Sequence, residues 1–453
     1  MKKRLLFFVM LVGVLVLGFA QTALSGTYRY SANAYITFTG NNFTGSWNRT
    51  STMSGTYSVS GTRLTLNITG GTVGRNTWNW TIVDANTLRD QDGDNWRKEG
   101  GGSQSGSNTT SINITVANTA QWNAALQQIR NGGDNRNYVI TVNGNVSVPG
   151  IASGVENDST GFGRVENLTV TINGNGRLSL TGQGGILYVS QGQTFIIDSP
   201  NLTLQGHSRN EEPLVSVMTG VLQLKNGSIS GNSAQGGGGG VNVVGNGTFN
   251  MSGGTISGNT TTSLDLSGYI LHGYGGGVDV SGSTFNMSGG TISGNTAQDG
   301  GGGVNVGGGT FNMSGGTISG NNTQKSGGGV TVIRESTFTM SGGTISGNSA
   351  QVGGSGVAVV NNSTLIMSGG TISGNRASTN GGGVAIVGSI FTKTGGTIYG
   401  ANEGSNTNNI GTNRIGNAVL WTDGSNVTRY RNATLGVNDN ISTSNPSAGW
   451  TRL

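Results

Sequence analysis

From about residue 221 onward, apolar residues recur at fixed places in a chain otherwise made of Gly, Asn, Ser and Thr. Ile229, Ile256, Ile292, Ile318, Ile345, Ile372 and Ile398 mark one position in successive units, at spacings of 27, 36, 26, 27, 27 and 26 residues. Each unit holds three short runs with strand character, typified by GGGVNV, TFNMS and TISGN, and period-2 alternation assigns their faces. Three strands in 26 or 27 residues predict one turn of a right-handed parallel β-helix, with regular coils over 221–400. Four inward ladders follow. One is the valine series Val241, Val278, Val304, Val330, Val357 and Val384. A second is Phe249, Phe285, Phe311, Phe338, Leu365 and Phe391, with Met251, Met287, Met313, Met340 and Met367 beside it, and the isoleucines complete the set. Burying each such side chain contributes about 1.5–3 kcal/mol, enough for a continuous core.

The same alternation explains the phrase MSGGTISGN, which occurs unchanged at 251–259, 287–295, 313–321, 340–348 and 367–375. Its Met and Ile point inward, its glycine pair permits a sharp turn, and its asparagine falls at a corner where stacked amides can bond along the axis. Outward positions such as Thr248, Asn250 and Ser252 repeat from coil to coil and predict a flat surface of hydroxyls and amides. Lys393 takes the place of a ladder methionine, which predicts that the last full coil lies near the exposed end of the stack. Residues 401–453 then read as an atypical C-terminal cap.

The chain before the array divides further. In NTAQWNAALQQIRNGG, Asn118 or Thr119 can cap a helix over about 118–132, with Trp122, Ala125, Leu126 and Ile129 on one face. A short amphipathic helix followed by brief strands suits the cap of the first coil, in a β-helix domain spanning 109–453. Residues 26–99 alternate apolar and polar residues between Gly- and Asn-containing turns, as in a small antiparallel β-barrel, and 100–108 read as a flexible linker. Lys2, Lys3 and Arg4 precede an apolar run ending near Ala20, the pattern of a signal peptide over 1–20. A retained membrane anchor is the competing reading. With the signal removed, no transmembrane segment is expected.

Composition narrows the function classes. Removing three basic residues with the signal leaves 21 − 19 = +2 charges, so no basic stripe for nucleic acid is expected. The absence of cysteine excludes disulfides, thiolate metal sites and lipid attachment at the cleavage region. The glycine phrases feed strands rather than a helix and carry no recurring lysine, unlike a phosphate-binding loop. Asp90, Asp92 and Asp94 alternate as at the start of an EF-hand, but Gly93 and Gly101 stand where that loop needs other residues, so a hairpin turn is expected. Asp279 is the single acid in the outward column Asn242, Asp279, Asn305, Thr331, Ala358 and Ala385, and His207 and His272 stand in no acid/base constellation. The seven tryptophans lie outside the repeats, so the array has no stacking platforms for sugars. No metal, cofactor or catalytic residue is assigned.

One irregularity stands out. From corner Asn to the next ladder Val is 9 residues in five coils, but Asn259 to Val278 is 19. The extra ten lie in TTTSLDLSGYILHGYGGG, which concentrates Leu264, Leu266, Tyr269, Ile270, Leu271, His272 and Tyr274. An apolar loop on a polar solenoid is a candidate contact site, formed by Leu264, Leu266, Tyr269, His272 and Tyr274 with Asp279 nearby in sequence. The alternative is that it folds back over the wall as packing.

GGTISGN together with GGGV resembles the repeats of polymorphic outer-membrane proteins and related β-helix adhesins, over about 221–400. That resemblance implies a secreted or surface-exposed protein that binds glycans or proteins of a host or neighbouring cell. The expected fold is similar to that of pectate lyases, which implies a polysaccharide lyase or hydrolase as the alternative; a structural spacer is the third reading. Residues 26–99 resemble the short lipocalin-like domains of exported bacterial proteins. Unlike the autotransporter members, the chain ends in Gly- and Asn-rich sequence without the amphipathic strands of a membrane barrel. The expectation is therefore an all-β, non-enzymatic protein located outside the cell, on its surface or in the periplasm.

Overall fold

A computed structural model describes most of residues 24–98, residues 111–399 except 152–160, 164, 191 and 380, and short strands beyond, out to residue 441. The signal-peptide reading at 1–20, the linker at 100–108, and Asp92 and Asp94 lie outside the described residues. The chain forms two compact units, divided between Gly106 and Ser107.

The first unit is an eight-stranded antiparallel meander. Its first strand, Gly26–Ser31, pairs with the second, Ala34–Thr39, and also with the last, Asn95–Lys98, which closes the sheet on itself. Closure leaves no free edge and turns one face of every strand inward. Ile36, Phe38, Phe43, Leu64, Leu66, Trp80 and Leu88 fill that interior. The acid-rich run beginning at Asp90 joins Thr87–Arg89 to Asn95–Lys98, strands paired through Leu88 and Trp96, so it connects a hairpin as expected.

In the second unit, helix Thr119–Gly132 opens on Asn118, whose side chain accepts a hydrogen bond from the Gln121 N–H at 3.0 Å. Trp122, Ala125, Leu126 and Ile129 are buried against the same core that the solenoid strands supply. The solenoid itself is parallel throughout the repeats and in register from coil to coil, with an irregularity only around Ser368 in the last pairing. Val278 pairs with Val304, Phe285 with Phe311, Met287 with Met313 and Ile292 with Ile318. Phe249, Phe285, Phe311 and Phe338 stack nearly parallel with ring centroids 4.6–4.7 Å apart, a spacing set by the distance between coils.

The five coils from Val215 to Ala350 each have four wall strands, where three were expected, and in the next two coils the second and third run together as Thr364–Ser373 and Ile390–Ile398. After the corner asparagine a run of two or three residues, such as Thr260–Thr262 or Thr296–Ala297, pairs with its equivalents in a third, seven-stranded sheet. The pattern gave no sign of it because only one small side chain per coil, Ala234, Thr261, Ala297, Thr323, Ala350 or Ala377, turns inward there. The other two sheets are a ten-stranded valine sheet and a long sheet that takes in both the TFNM and TIS segments.

Two features hold the corners. A Cβ on Gly289 or Gly315 would lie 2.3 Å from a serine carbonyl of the preceding coil, so the bend tolerates no side chain there. The asparagines form a continuous buried ladder. Asn295 Nδ2 donates to Asn321 Oδ1 at 3.0 Å, and Asn321 Nδ2 donates to Asn348 Oδ1 at 2.9 Å and to the Ile292 carbonyl at 3.0 Å. Each Oδ1 also accepts the backbone N–H of the preceding asparagine, so the amides are used in full. The ladder extends to Asn409, one coil beyond the last repeat of the phrase.

Lys393 departs from expectation. Its side chain is 0% exposed, and its Nζ donates to the Gly396 carbonyl at 2.8 Å. The coil that carries it is not left open: antiparallel strands Ala433–Thr434 and Asn440–Ile441 pair with Ile390–Ile398. The Gly396 carbonyl takes one of the three N–H groups of the ammonium, and strands from the expected cap region cover the coil, so Lys393 is buried at a capped end and not exposed.

Candidate functional site

The ten extra residues form a β-hairpin. Leu264–Leu266 and Tyr269–Leu271 pair antiparallel, Leu264 opposite Leu271 and Leu266 opposite Tyr269. Between them Ser267 and Gly268 both take positive φ, 54° and 104°, as a two-residue hairpin turn requires. The Gly268 N–H donates to Asp265 Oδ1 at 2.9 Å, which fixes the tip. Leu266 is 51% exposed, Tyr269 68% and Ile270 49%, so the hairpin stands off the solenoid instead of packing back onto it. Leu264, Leu271, His272 and Tyr274 are half-buried at the neck.

The neck is held by the next coil. Asp299 Oδ2 accepts hydrogen bonds from the Ser263 hydroxyl and, at 2.9 Å, from the Gly273 N–H. These two residues flank the hairpin on either side. Gln298 Oε1 accepts the Ser263 N–H at 2.9 Å. Asp299 Oδ1 lies 2.7 Å from Lys325 Nζ, and its Oδ2 lies 3.4 Å from His272 Nδ1. Burial alone would raise the Asp299 pKa, but the bonds from Lys325, Ser263 and Gly273 outweigh it and hold it down at about 2. The carboxylate therefore stays charged and ties both ends of the insertion together. His272 lies against Tyr274, ring centroids 5.3 Å apart, and is no isolated surface histidine.

In the sequence Asp299 is one of the few acids scattered through the array. A sharper signal was present: Asp299 and Lys325 each stand four residues after a corner asparagine, in successive coils. Register alone places opposite charges one coil apart, and here they pair.

Asp279 belongs to a different surface. It sits in the valine sheet, paired in register with Asn242 below and Asn305 above. Alternation turns it away from the core, yet it is only 6% exposed. The glycine-rich run that leads into the sheet lies over this column; a Cβ on Gly237 would come 2.5 Å from Asp279 Oδ2. Asn305 Nδ2 donates to Oδ1 at 2.7 Å and the Ser281 hydroxyl to Oδ2 at 3.0 Å. Burial raises its pKa to about 6 in spite of these bonds and the distant charge of Arg334. The structure thus groups Leu264, Leu266, Tyr269, His272 and Tyr274 on one hairpin and its return, and places Asp279 on the adjoining valine sheet as a covered group whose charge reaches only Tyr274 among them. Among the described residues, no three His, Asp or Glu side chains gather as a metal site.

Comparison with known proteins adds nothing to this geometry: no family model, no curated protein and no solved structure matches the chain.

Proposed function

We propose that the protein is an exported, non-enzymatic binding protein of adhesin type, in which the solenoid is a stiff support and the Leu264–Leu271 hairpin makes the contact. One observation carries this reading. Three large apolar side chains, Leu266, Tyr269 and Ile270, are presented on a clamped hairpin projecting from a wall of hydroxyls and amides. Folding gains little from leaving them in water, whereas a partner surface or the face of a sugar ring would cover them. Clamping at the neck reduces the ordering cost of binding. The charged and apolar N-terminal run supports placement outside the cytoplasm. Asp279 supports the non-enzymatic reading, since both its oxygens are engaged beneath a glycine turn.

The test is retention on arrays of glycans and matrix proteins, comparing the full chain with a variant lacking residues 264–273. That deletion restores the nine-residue spacing of the other coils, because 19 − 10 = 9. The expected result is binding by the full chain that the deletion abolishes. Equal retention by both proteins rejects the hairpin as the contact element. Fractionation of the producing cell tests export separately.

A further inference from the structure

A recess lies on the same coils, at the corner between the valine sheet and the long sheet. Its origin is legible in residue counts. From the last inward valine of one sheet to the ladder phenylalanine of the next is six residues for Val243 to Phe249 and for Val332 to Phe338. For Val280 to Phe285 and Val306 to Phe311 it is five. Two short turns in succession, flanked by a longer one on each side, leave a notch in the wall.

Gly282, Gly308 and Gly309 floor the notch, Asn246 and Glu335 stand at its two ends, and Thr284, Thr310 and Thr337 line its side; its volume is about 310 Å³. The three threonines pair in register, so their hydroxyls recur along the axis at roughly one strand spacing, about 4.8 Å. Among the described residues, none of the three threonine hydroxyls, nor the side chains of Asn246 and Glu335, has a hydrogen-bond or ion-pair partner, whereas the hydroxyl of Ser283, also in the lining, donates to the Ser281 carbonyl at 3.1 Å. The threonines, Asn246 and Glu335 are free for a ligand.

The chemistry of the lining selects a ligand class. Three hydroxyls and an amide both donate and accept, and Glu335 accepts only. No Lys, Arg or His lines the notch, so an anionic group would meet a carboxylate without compensation. No aromatic ring is present for a nucleobase, and a saccharide would be held here by hydrogen bonds without stacking. One carboxylate is too few for a dedicated cation site. What remains is a neutral polyhydroxylated molecule, whose hydroxyl groups also donate and accept, lying against bare glycine peptides. We infer that the notch is a binding subsite for a neutral saccharide segment lying along the solenoid axis. It goes beyond the hairpin contact and does not depend on it.

Filling the notch tests this without disturbing the fold. Gly282 and Gly308 have φ of 60° and 68°, and the chain places asparagine in the same left-handed conformation at Asn246, Asn361 and Asn362, with φ of 70°, 56° and 58°. An added Cβ meets nothing within 4 Å at Gly282, and at Gly308 its nearest neighbours are 3.9 Å away. The double variant Gly282→Asn, Gly308→Asn should therefore fold as the parent does. Calorimetric titration with cellohexaose, chitohexaose and laminarihexaose, and with an oligogalacturonate as anionic control, supplies the readout. At least one neutral hexaose should bind the full chain, with affinity reduced at least about tenfold in the double variant and several-fold in Thr310→Val, which keeps shape and loses one hydroxyl. The 264–273 deletion should bind that hexaose as the parent does, which separates this site from the hairpin. No binding of any neutral hexaose, binding of the oligogalacturonate alone, or unchanged affinity in the filled variant overturns the inference.

Discussion

The corners at Asn259 and Asn321 share the sequence TISGN and then diverge. After Asn321 the chain reaches its ladder valine in 9 residues; after Asn259 it needs 19 and builds a hairpin on the way. The ladder does not register the difference. Asn259 Nδ2 donates to Asn295 Oδ1 at 3.0 Å and to the Ile229 carbonyl at 3.2 Å, close to the 2.9 and 3.0 Å of the equivalent bonds at Asn321. In a solenoid each coil contacts only its neighbours, so an insertion at one corner stays local. Stability and recognition are therefore written on different residues, and each can be altered with little effect on the other.

The largest expected effect lies in what the two corners share. Asn321→Ala removes an acceptor used twice and a donor used twice, and leaves the buried Asn295 N–H without a partner. A loss of about 4 kcal/mol follows from one orphaned group plus the lost bonds. Asn259→Ala removes three bonds instead of four, since Asn259 Oδ1 accepts only the Asn232 N–H, and should cost about 1 kcal/mol less, measured as urea-unfolding free energies. A much smaller cost at Asn259 would show that the hairpin corner is relaxed after all, and would break the comparison.

Next in size is a gain. Asp279 occupies a column in which its neighbours in both directions are asparagines, and its pKa is raised from 3.8 to about 6, chiefly by burial. An acid whose folded pKa is raised binds its proton more tightly when folded. Its stabilising protonation is complete below the unfolded value and is lost as pH rises through about 6. Above that window the ionised group costs up to about 3 kcal/mol, from 6 − 3.8 = 2.2 pKa steps. Asp279→Asn should therefore raise stability at pH 7 by up to about 3 kcal/mol and flatten the dependence between about pH 4 and 6. Unchanged pH dependence would mean that Asp279 does not titrate in this range.

The clamp comes third. Asp299 ties the hairpin corner, through Ser263 and Gly273, to Lys325 of the coil that carries Asn321. Asp299→Ala should cost about 1–2 kcal/mol and speed amide exchange or proteolysis within 263–273, while the ladder asparagines from Asn321 to Asn375 exchange as before. Its depressed pKa fixes the sign with pH. The stabilisation is present above the ordinary carboxylate value and lost as pH falls through about 2, so the hairpin should hold its place at pH 5 as at pH 7. Clamp loss near pH 5 would contradict the assignment of Lys325 as its partner.

These effects also mark how far the sequence could be read. The solenoid, its ladders and its asparagine corner follow from residues that repeat, because a period of 26 or 27 leaves one register that buries all four apolar series. The helix cap followed from Asn118 and the spacing of Trp122, Leu126 and Ile129. What escaped depends on single residues or on turns. The third sheet buries one small side chain per coil, the cover over Asp279 is made of glycines that carry no hydropathy signal, and Lys393 is satisfied by a carbonyl that no pattern reveals. At the candidate site, the position of the insertion was legible and its posture was not. Leu264 to Leu271 reads equally as packing or as a projecting hairpin until the turn at Ser267 and Gly268 and the clamp at Asp299 are seen.

The smallest expected effect is the most discriminating. Deleting residues 264–273 removes Leu266, Tyr269 and Ile270, which are exposed and bury little apolar area in the fold. It also removes the strand pairing of the hairpin, which is internal to the excised segment. Against these small losses stands a shorter connection, worth a few tenths of a kcal/mol in closure entropy by the logarithmic length dependence. Asp299 loses the Gly273 N–H and the Gly273 carbonyl that accepts its own N–H at 3.0 Å, but keeps Lys325, and Ser263 remains in the chain to bond it. The terms nearly cancel, and unfolding free energy should change by less than about 1 kcal/mol, against about 4 kcal/mol for one asparagine of the ladder. A deletion that leaves the unfolding curve in place and abolishes retention on the arrays would assign recognition to the hairpin. A destabilisation comparable with Asn259→Ala would instead make the hairpin part of the wall, and the two corners would then differ in scaffold as well as in surface.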